Sequence, residues 1–336
     1  MSVKEDVLRI LNENKETYLS GAQIAEKLQI SRTAVWKAVK SLNEEGYNIL
    51  GMNKRGYKMS MGDDIISNEG IDKFLRKDVA DAVQIETFKN ISSTNTVLKQ
   101  RAAEGEREWL ILVAEEQTAG RGRMNRKFYS PSGTGIYISF LLRPKFLASE
   151  SLMITTMAAV AVAETIDEIL VQGSSLNQTT QIKWVNDIFY KGKKVCGILT
   201  EAAINVENYK LDYAIPGIGI NVKAPEGGFP DEIKDIAGAL IDDCDDKSVN
   251  DELRNRMIAR LIEKMYDYYQ NLEQKSFMKT YKEKSMLIGK TVYILDDETK
   301  EPLYVEGVTD RAELIVRHED GTMENLQSGE VSVRLF

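Results

Sequence analysis

Three arginines and two glycines stand within seven positions, from Gly120 to Arg126, shortly after an apolar run of strand length. Glycine lets a backbone approach a ligand closely, and the planar guanidinium group of arginine suits carboxylate or phosphate. This spacing therefore predicts an anion-binding loop. The alternatives are a solvated basic loop and an RNA-contacting arginine-glycine segment, although such segments are usually longer and lie in low-complexity sequence.

A second polar cluster runs from Lys183 to Asp187, and we interpret it as part of a strand. Side chains in a strand alternate between two faces, so Lys183 and Val185 would point to one face. Trp184 and Asn186 would then point to the other. A lysine in an apolar strand needs a partner, because an isolated charge is costly to bury.

Two shorter clusters join this set. Lys194 precedes the apolar run Val195–Leu199, and Ser92–Asn95 is a run of small hydrogen-bonding side chains at a turn. Taken singly, each cluster is more often structural than functional. Their presence together with the arginine-glycine loop favours one shared site.

The chain has one histidine, His318, and two cysteines, Cys196 and Cys244. Catalysis by Ser-His-Asp or Cys-His could use only that histidine, and two-histidine metal motifs and a disulfide framework are excluded. The glycine pairs also fail as dinucleotide fingerprints, because Asn125 and Val222 stand where the third glycine belongs. We therefore expect chemistry that depends on charge and positioning.

Length and charge indicate a multidomain protein with one basic end. A chain of 336 residues exceeds what one hydrophobic core usually covers, so two or three domains are expected. Residues 1–60 hold 10 of its 44 basic and 7 of its 52 acidic side chains, which hints at nucleic-acid contacts at that end. The absence of a long apolar stretch and the few cysteines predict a cytoplasmic protein without a membrane span.

The first 60 residues have the pattern of a winged helix-turn-helix. Apolar residues at helical spacing predict three helices, with Ser20 and Gln23 forming a capping box at the second and Ser31 capping the third. Apolar runs on both sides of the turn at residues 53–56 predict a β-hairpin wing. Such a motif binds DNA, although a small protein-interaction domain is the alternative. The residues expected to contact DNA are Arg32, Thr33, Trp36, Lys37, Lys54 and Arg55.

Downstream, neighbouring apolar runs are joined by turns such as Lys191–Lys193, which are too short for the helical crossover that a parallel pair needs. We therefore predict a multidomain α+β protein whose central domain has a mixed, mainly antiparallel sheet with flanking helices. The predicted strands include Leu110–Ala114, Gly135–Leu142, Ile182–Val185, Val195–Leu199 and Tyr213–Ile220. Helical spacing covers about 151–170 and the stretch after a predicted cap at Asn250.

Short alternating runs from about Ile288 onward, with a turn at residues 319–321, predict a small C-terminal β-barrel. A segment rich in Gly, Asp, Ser and Asn, from Met61 to Gly70, predicts a linker after the winged module. The predicted domains are therefore residues 1–62, 63–285 and 286–336.

The polar clusters, in this order, resemble those of bifunctional biotin protein ligases that also repress the biotin operon. The family pattern is Ser-Thr-Asn, then Gly-Arg-Gly-Arg, then Lys-Trp-Pro-Asn-Asp, then Lys-x-x-Gly-Ile-Leu. The matching segments here are Ser93–Asn95, Gly120–Arg123, Lys183–Asp187 and Lys194–Leu199, with a fifth match at Gly217–Val222. The resemblance spans essentially the whole chain.

The resemblance implies a two-step reaction with ATP and Mg²⁺ as cofactors and biotin as the substrate. Biotin and ATP would give biotinyl-5′-AMP, and a lysine of the biotin carboxyl carrier protein of acetyl-CoA carboxylase would then take the biotinyl group. It also implies binding to biotin operator DNA as a homodimer, with biotinyl-AMP as corepressor. Both chemical steps move charge between anions, so clustered cations and backbone donors are what catalysis needs.

The resemblance further implies roles for single residues. Lys183 and Arg123 would be catalytic, with Lys183 stabilising charge at the α-phosphate. Biotin would be bound by Ser93, Thr94, Asn95, Gln117, Gly120, Arg121, Gly122, Arg123 and Lys194. The nucleotide would be bound by Arg126, Lys183, Asn186, Asp187 and Asn221. Asp187 is also the candidate Mg²⁺ ligand, although it could instead orient Lys183 or Arg123.

Two of the motifs depart from the family pattern. Val185 replaces the usual proline, and Met124 with Asn125 replaces the basic and glycine residues common after the second arginine. Phe128 could stack on adenine or pack in the core. The change at Met124 and Asn125 favours a second hypothesis, a ligand-sensing repressor with a degenerate adenylating site. A third, a lipoate or octanoate ligase, would lack the helix-turn-helix and need a longer apolar tunnel.

Overall fold

A computed structural model describes most of the chain as two compact units. The first unit contains Met1–Phe74 and Asp246–Arg256, and the second contains Leu75–Asp245 and Met257–Phe336. The described residues are 3–14, 17–44, 47, 49–52, 55–59, 64–147, 150–170, 179–205, 207–241, 252–294, 301–327 and 331–333. Within these ranges, no helix is long and apolar enough to cross a membrane. Domain boundaries at residues 62 and 285 stay a prediction.

The first unit contains the expected helix-turn-helix and wing. Its elements are α1 (Val3–Glu13), α2 (Gly21–Leu28), α3 (Arg32–Glu44), β1 (Ile49–Met52) and β2 (Gly56–Met59). The capping box is confirmed, because Gln23 N donates to Ser20 Oγ at 3.2 Å and Ser20 N donates to Gln23 Oε1 at 2.8 Å. The apolar faces of the three helices close one core with the wing. The cap of the third helix is also present, since Ala34 N donates to Ser31 Oγ.

The described part of the predicted linker, from Asp64 to Gly70, is packed rather than exposed. Asp64 is buried and accepts hydrogen bonds from Arg254 N at 2.8 Å and Arg254 Nε at 3.0 Å. Ser67 caps α4 (Asn68–Asp72) and its backbone N–H donates to Asn255 Oδ1 at 3.1 Å. A buried charge needs such a partner, and composition alone does not reveal a partner 190 residues away.

The second unit is organised around a seven-stranded sheet. Its strands are β3 (Gln84–Phe88), β4 (Leu110–Ala114), β5 (Gly135–Phe140), β6 (Gln181–Lys183), β7 (Asp187–Tyr190), β8 (Lys193–Ile204) and β9 (Leu211–Asn221). They lie in the order β3-β4-β5-β9-β8-β7-β6. The β3–β4 pair is parallel and the other five pairs are antiparallel, which confirms a mixed, mainly antiparallel sheet.

Helices flank this sheet. They are α5 (Lys77–Ala80), α6 (Thr94–Ala103), α7 (Leu152–Leu170), α8 (Leu253–Gln270), which begins in the first unit, and α9 (Phe277–Glu283). Every residue of α7 from Met153 to Ala163 is buried, as its nearly continuous apolar sequence requires. The predicted cap of α8, Asn250, lies outside the described residues.

The chain ends in a smaller antiparallel sheet of β10 (Thr291–Ile294), β11 (Leu303–Val308), β12 (Leu314–Arg317), β13 (Met323–Leu326) and β14 (Val331–Val333). The order is β13-β12-β11-β10-β14. Gly321 has a positive φ of 88° in the turn between β12 and β13, a conformation that glycine adopts without steric cost. The sheet and its turn were expected; closure into a barrel stays a prediction.

Candidate active site

One cavity of about 250 Å³ in the second unit brings together residues from all five sequence motifs. Of the predicted site residues, those that line it are Ser93, Thr94, Asn95, Gln117, Arg121, Gly122, Arg123, Arg126, Lys183, Asn186, Asp187, Lys194 and Asn221. Gly120 is the exception. It lies beside the cavity, where a Cβ atom would come within 2.5 Å of Phe128 O and 2.6 Å of Ser130 Oγ. Glycine is therefore required at 120 for close backbone packing.

A group of interlocked polar side chains, which we call the polar corner, forms one wall. It consists of Ser93, Thr94, Asn95, Gln117 and Ser139, and the first residue caps α6. Gln117 Oε1 accepts hydrogen bonds from Thr94 N at 2.9 Å and from Thr94 Oγ1 at 3.2 Å. The Ser139 hydroxyl lies 2.6 Å from both Thr94 Oγ1 and Asn95 Oδ1. Most of these polar groups therefore have a protein partner in a buried setting.

The cationic loop, Gly120–Arg126, folds back on itself beside the polar corner. Gly122 N donates to Arg126 O at 2.7 Å, and Phe128 N donates to Gly120 O at 2.9 Å. Between them the backbone makes one 3₁₀ turn in which Met124 has a φ of +54°. Positive φ favours glycine, so this departure from the family pattern places a bulky residue in a left-handed conformation. The side chain of Met124 is 56% exposed.

The segment Lys183–Asp187 is a hairpin, so its interpretation as one continuous strand was wrong. β6 ends at Lys183, β7 starts at Asp187, and these two residues face each other across the antiparallel pair. The peptide bond between Trp184 and Val185 is cis. The tight turn puts Lys183, Asn186 and Asp187 at the same cavity, which strand alternation would not have done.

Hydrogen bonds connect this hairpin to the other motifs. Arg123 Nη1 donates to Asn186 Oδ1 at 3.0 Å, and Asn186 Nδ2 donates to Ile198 O at 2.9 Å. Lys194 Nζ lies 2.7 Å from Asp187 Oδ1. The cationic loop, the hairpin and β8 are therefore held in register by side-chain contacts across the cavity.

Glycines in the central strands leave a flat surface under the cavity. A Cβ atom on Gly219 would lie 2.3 Å from the ring of Phe128, and one on Gly217 would lie 1.9 Å from Asn95 Oδ1. Phe128 also packs edge-on against Tyr137, with ring centroids 6.4 Å apart. Phe128 therefore packs against the sheet, and because its ring also lines the cavity, stacking on adenine stays a prediction.

Charge in the cavity is strongly one-sided. Among the described residues that line it, six are basic and one is acidic. The basic ones are Arg121, Arg123, Arg126, Lys127, Lys183 and Lys194, and the acidic one is Asp187. Cys196 also lines it, but burial raises the pKa of this thiol far above its usual value and so keeps it protonated. The arrangement suits an anionic ligand.

Two features of the site were missed from the sequence. Glu201 on β8 accepts a hydrogen bond from Asn95 Nδ2 at 3.1 Å and lies 3.5 Å from Arg121 Nη1. Residues 229–237 add an apolar wall that includes Phe229 and Ile233. Strand alternation could have placed Glu201 on the same face as Gly197 and Leu199, whereas nothing local marks the wall.

The first unit presents a separate polar surface. Arg32, Thr33, Trp36 and Lys37 are exposed on α3, while the opposite face of the helix, including Val35 and Val39, is buried. Trp36 is 52% exposed, with Lys40 Nζ 5.7 Å from its ring centroid. In the wing Arg55 is exposed, and Lys54 lies outside the described residues.

Comparison with known proteins gives two family matches. Residues 87–221 match the biotin/lipoate A/B protein ligase family, and residues 3–58 match a helix-turn-helix (HTH) domain family. The bifunctional ligase/repressor BirA of Bacillus subtilis is 36% identical over 239 residues, which is 71% of this chain and 71% of that protein. The protein of the same name from Escherichia coli is 23% identical over 322 residues, covering 94% and 92% of the two chains.

Among solved structures, the biotin protein ligase from Aquifex aeolicus in complex with biotin and ATP superposes with a TM-score of 0.58. It is 28% identical, and the match covers 75% of this chain and 98% of that one. The matched families include both the ligase region that forms the cavity and the helix-turn-helix of the first unit.

Proposed function

This chain belongs to the family of bifunctional biotin protein ligase/repressors, and from that premise we propose how its cavity performs the ligase reaction. The chain is an ATP-dependent biotin protein ligase with an N-terminal DNA-binding domain. One observation carries the proposal: among the described residues, six cations from three separate segments and one carboxylate line a single cavity, one wall of which is a network of neutral hydrogen-bonding groups.

In the first step, a carboxylate oxygen of biotin attacks the α-phosphorus of ATP. The bond between that phosphorus and the bridging oxygen breaks, and pyrophosphate leaves with its electron pair. In the second step, the neutral amine of a carrier lysine attacks the acyl carbon of biotinyl-5′-AMP. AMP leaves and the amine loses its proton. In both transition states negative charge shifts onto the leaving group and the oxygens around the reacting atom, where fixed cations stabilise it better than reorganising water does.

We assign Lys183 and Arg123 to the reacting atoms, because they line the cavity from two different segments, the end of β6 and the cationic loop. Arg123 is fixed by Asn186, so its guanidinium group is preorganised when the α-phosphate arrives. The other cations, Arg126 and Lys194, neutralise the nucleotide and the biotin carboxylate. Asn186, Asp187 and Asn221 complete the nucleotide side of the cavity.

On the biotin side, Ser93, Thr94 and Gln117 supply hydrogen bonds to the ureido ring, and the backbone at Gly120 and Gly122 lets the ligand lie close. Arg121 stands near the biotin carboxylate. Asn95 has both amide hydrogens engaged, with Leu199 O and Glu201 Oε2, each at 3.1 Å. We therefore give Asn95 the role of holding the polar corner together.

Mg²⁺ fits this cavity only as a companion of ATP. Asp187 is the one carboxylate among the described residues lining it, and Lys194 already lies 2.7 Å away. Mg²⁺ commonly binds substrate phosphates with one or two carboxylates, so Asp187 would be its single protein ligand while phosphate oxygens and water fill the other positions. The ion would neutralise phosphate charge there.

The ligase assignment is tested by incubating the protein with labelled biotin, MgATP and a biotin carboxyl carrier domain of acetyl-CoA carboxylase. Lys183→Ala should lower the rate of biotinyl-AMP formation by about 10²- to 10³-fold, the loss typical of one charge-stabilising donor. Lys279→Ala, whose side chain is 84% exposed on α9, is the matched control. A Lys183→Ala variant as active as this control would refute the assignment.

We propose operator DNA as the second ligand, bound by the exposed side of α3. Arg32, Thr33, Trp36 and Lys37 would meet base edges or phosphates in the major groove, and Lys54 and Arg55 would contact the backbone from the wing. A homodimer with biotinyl-AMP as corepressor would double these contacts. We propose that the protein is cytoplasmic. We also propose that the C-terminal sheet closes into a small barrel beside the active site, where it helps to bind ATP or the carrier.

Binding of operator DNA is tested by titrating a fragment of the biotin operon control region with protein, biotin and ATP. Arg32→Ala should weaken binding at least tenfold, whereas Lys27→Ala on the exposed side of α2 should not. Ligase activity should be equal in both variants. Equal binding by both variants would show that α3 is not the DNA-contacting helix.

A further inference from the structure

The turn between β6 and β7 places the side chains that the ligase reaction needs most. It comprises Trp184, Val185 and Asn186, and it is flanked by Lys183 and Asp187. Trp184 and Val185 are 3% and 4% exposed, so the turn is anchored in protein rather than in solvent. The position of Lys183 and Asn186 in the cavity therefore depends on whatever holds this turn from behind.

Tyr281 on α9 provides one of these contacts. Its hydroxyl donates a hydrogen bond to Val185 O at 3.2 Å, and the residue is fully buried outside the cavity lining. The end of α9 adds two backbone bonds to β6, from Ile182 N to Lys284 O at 2.8 Å and from Met286 N to Ile182 O at 3.0 Å. Of these three bonds, the one from the Tyr281 hydroxyl is the one that reaches the turn itself.

A turn of the C-terminal sheet, Thr309–Glu313, provides the second contact. Trp184 Nε1 donates to Ala312 O at 2.8 Å, and Ala312 is buried with a φ of +65°. The turn is closed by Thr309 N donating to Glu313 O at 2.9 Å and by Glu313 N donating to Thr309 Oγ1 at 3.1 Å. These bonds fix the direction of the Ala312 carbonyl toward the indole.

We propose that Tyr281 and the Thr309–Glu313 turn are positioning elements for biotinyl-AMP formation, acting on Lys183 and Asn186 through the β6–β7 turn. The inference rests on the proposed role of Lys183 at the α-phosphate. Its physical basis is that a charge-stabilising group loses most of its effect when displaced by about 1 Å. Among the described residues, none of the hydrogen bonds of the polar corner involves Tyr281 or the β6–β7 turn, so biotin binding by that corner should be insensitive to the same changes.

The test compares Tyr281→Phe with Tyr268→Phe, which removes a hydroxyl that donates to Glu164 at 2.9 Å away from the cavity. Biotin-dependent exchange between pyrophosphate and ATP measures adenylation, and transfer from preformed biotinyl-AMP measures the second step. Tyr281→Phe should lower kcat for exchange about tenfold, with KM for biotin and the transfer rate within twofold of wild type. Tyr268→Phe should resemble wild type throughout.

A spectroscopic readout separates positioning from general loss of structure. Protein labelled with 5-fluorotryptophan has three tryptophans, and Trp184→Phe assigns the ¹⁹F resonance of Trp184. Tyr281→Phe should shift that resonance and leave those of Trp36 and Trp109 in place. Thr309→Val, which keeps Tyr281 but loosens the turn, should shift the same resonance and lower exchange in the same direction.

The outcomes distinguish a failure of the proposed ligase function from a failure of the positioning role. Wild-type protein without exchange activity, or an active Lys183→Ala variant, would overturn the proposed function. Wild-type activity with Tyr281→Phe and Thr309→Val both matching the Tyr268→Phe control would overturn this inference alone. Equal losses in exchange, transfer and biotin KM would also overturn it, because they indicate a general structural role. If Tyr281→Phe does not fold, Thr309→Val decides by the same criteria.

Discussion

The polar corner and the cationic loop line the same cavity but are stabilised in different ways. The polar corner is buried except for the half-buried Gln117, and its hydroxyl and amide groups bond to each other. The cationic loop is largely exposed, and its backbone bonds close a short turn while its arginines project from it. The neutral groups are held in place before ligand arrives. In the loop Arg123 is held by Asn186, but the clustered like charges repel one another until an anion neutralises them.

This difference separates stability from chemistry in the two regions. Removing a group from the polar corner leaves buried partners without hydrogen bonds, so the cost falls on folding and on biotin affinity. Removing an arginine from the loop takes away fewer buried bonds, such as the one from Arg123 to Asn186 Oδ1, so the cost falls mainly on the transition state. Variants in each region should therefore separate in a plot of melting temperature against kcat.

The largest expected effect is that of Arg123→Ala on adenylation. Its guanidinium group is fixed by Asn186 and faces the cavity, so its loss should lower kcat by about 10²- to 10³-fold. The melting temperature should fall by no more than about 4 °C, because Arg123 is only half-buried and Asn186 keeps its bond to Ile198 O. Steady-state pyrophosphate exchange and calorimetry measure the two quantities, with Arg107→Ala as a surface control. A fully active variant would contradict the role of the loop.

Ser139→Ala should produce the opposite pattern. Its hydroxyl is fully buried between Thr94 and Asn95, and removing it should lower the free energy of unfolding by about 1–3 kcal/mol. Biotin KM should rise as the polar corner loosens, while kcat at saturating biotin changes little. Urea denaturation and initial rates over a range of biotin concentrations test this. Unchanged stability with a lowered kcat would show that the polar corner acts on the transition state rather than on folding and biotin affinity.

The fold and the two regions of the cavity, the polar corner and the cationic loop, were only partly predictable from the sequence. β4 matched its predicted bounds, and β9 extended slightly beyond its prediction, because apolar runs bounded by turn residues specify strands locally. The motifs also identified thirteen of the residues that line the cavity. The turn at Trp184–Asn186 could not be predicted, since the five residues Lys183–Asp187 are compatible with a strand until their partner strand is known.

Partners that are distant in sequence were equally hidden. Glu201 joins Asn95 across 106 residues, and Trp184 reaches Ala312 across 128. The local sequence shows which side chains are polar and with what periodicity they recur. Tertiary packing decides which polar groups meet. Gly217 and Gly219 were a usable signal, because glycines two apart in a strand leave one face bare for Asn95 and Phe128.

A smaller effect is expected at Met124, where the loop departs from the family pattern. Met124→Gly removes a side chain from a φ of +54° and should raise the free energy of unfolding by about 0.5–1 kcal/mol. Met323→Gly is the matched control, since Met323 is similarly exposed at 54% but lies in β13, where glycine should destabilise. Chemical denaturation compares them. Destabilisation of both variants would mean that the loop does not depend on the left-handed residue.

The smallest expected effect is a pH dependence of stability that arises outside both the polar corner and the cationic loop. Neither contains histidine, and the one histidine, His318, lies between Glu301 Oε1 at 3.2 Å and Glu324 Oε2 at 3.1 Å. These carboxylates, Glu301 first, raise the pKa of His318 above 6.5. The stability that they contribute is therefore complete below pH 6.5 and is lost as the pH rises through the folded pKa.

His318→Gln should remove this slope from the melting temperature measured between pH 5.5 and 8.5, while leaving stability near pH 8.5 almost unchanged. Ligase activity over the same range should follow the same curve in both proteins, because the polar corner and the cationic loop hold no group that titrates like an ordinary histidine. A histidine-like step in activity that disappears in His318→Gln would connect the C-terminal sheet to the chemistry. It would show that the polar corner and the cationic loop do not act independently of that sheet.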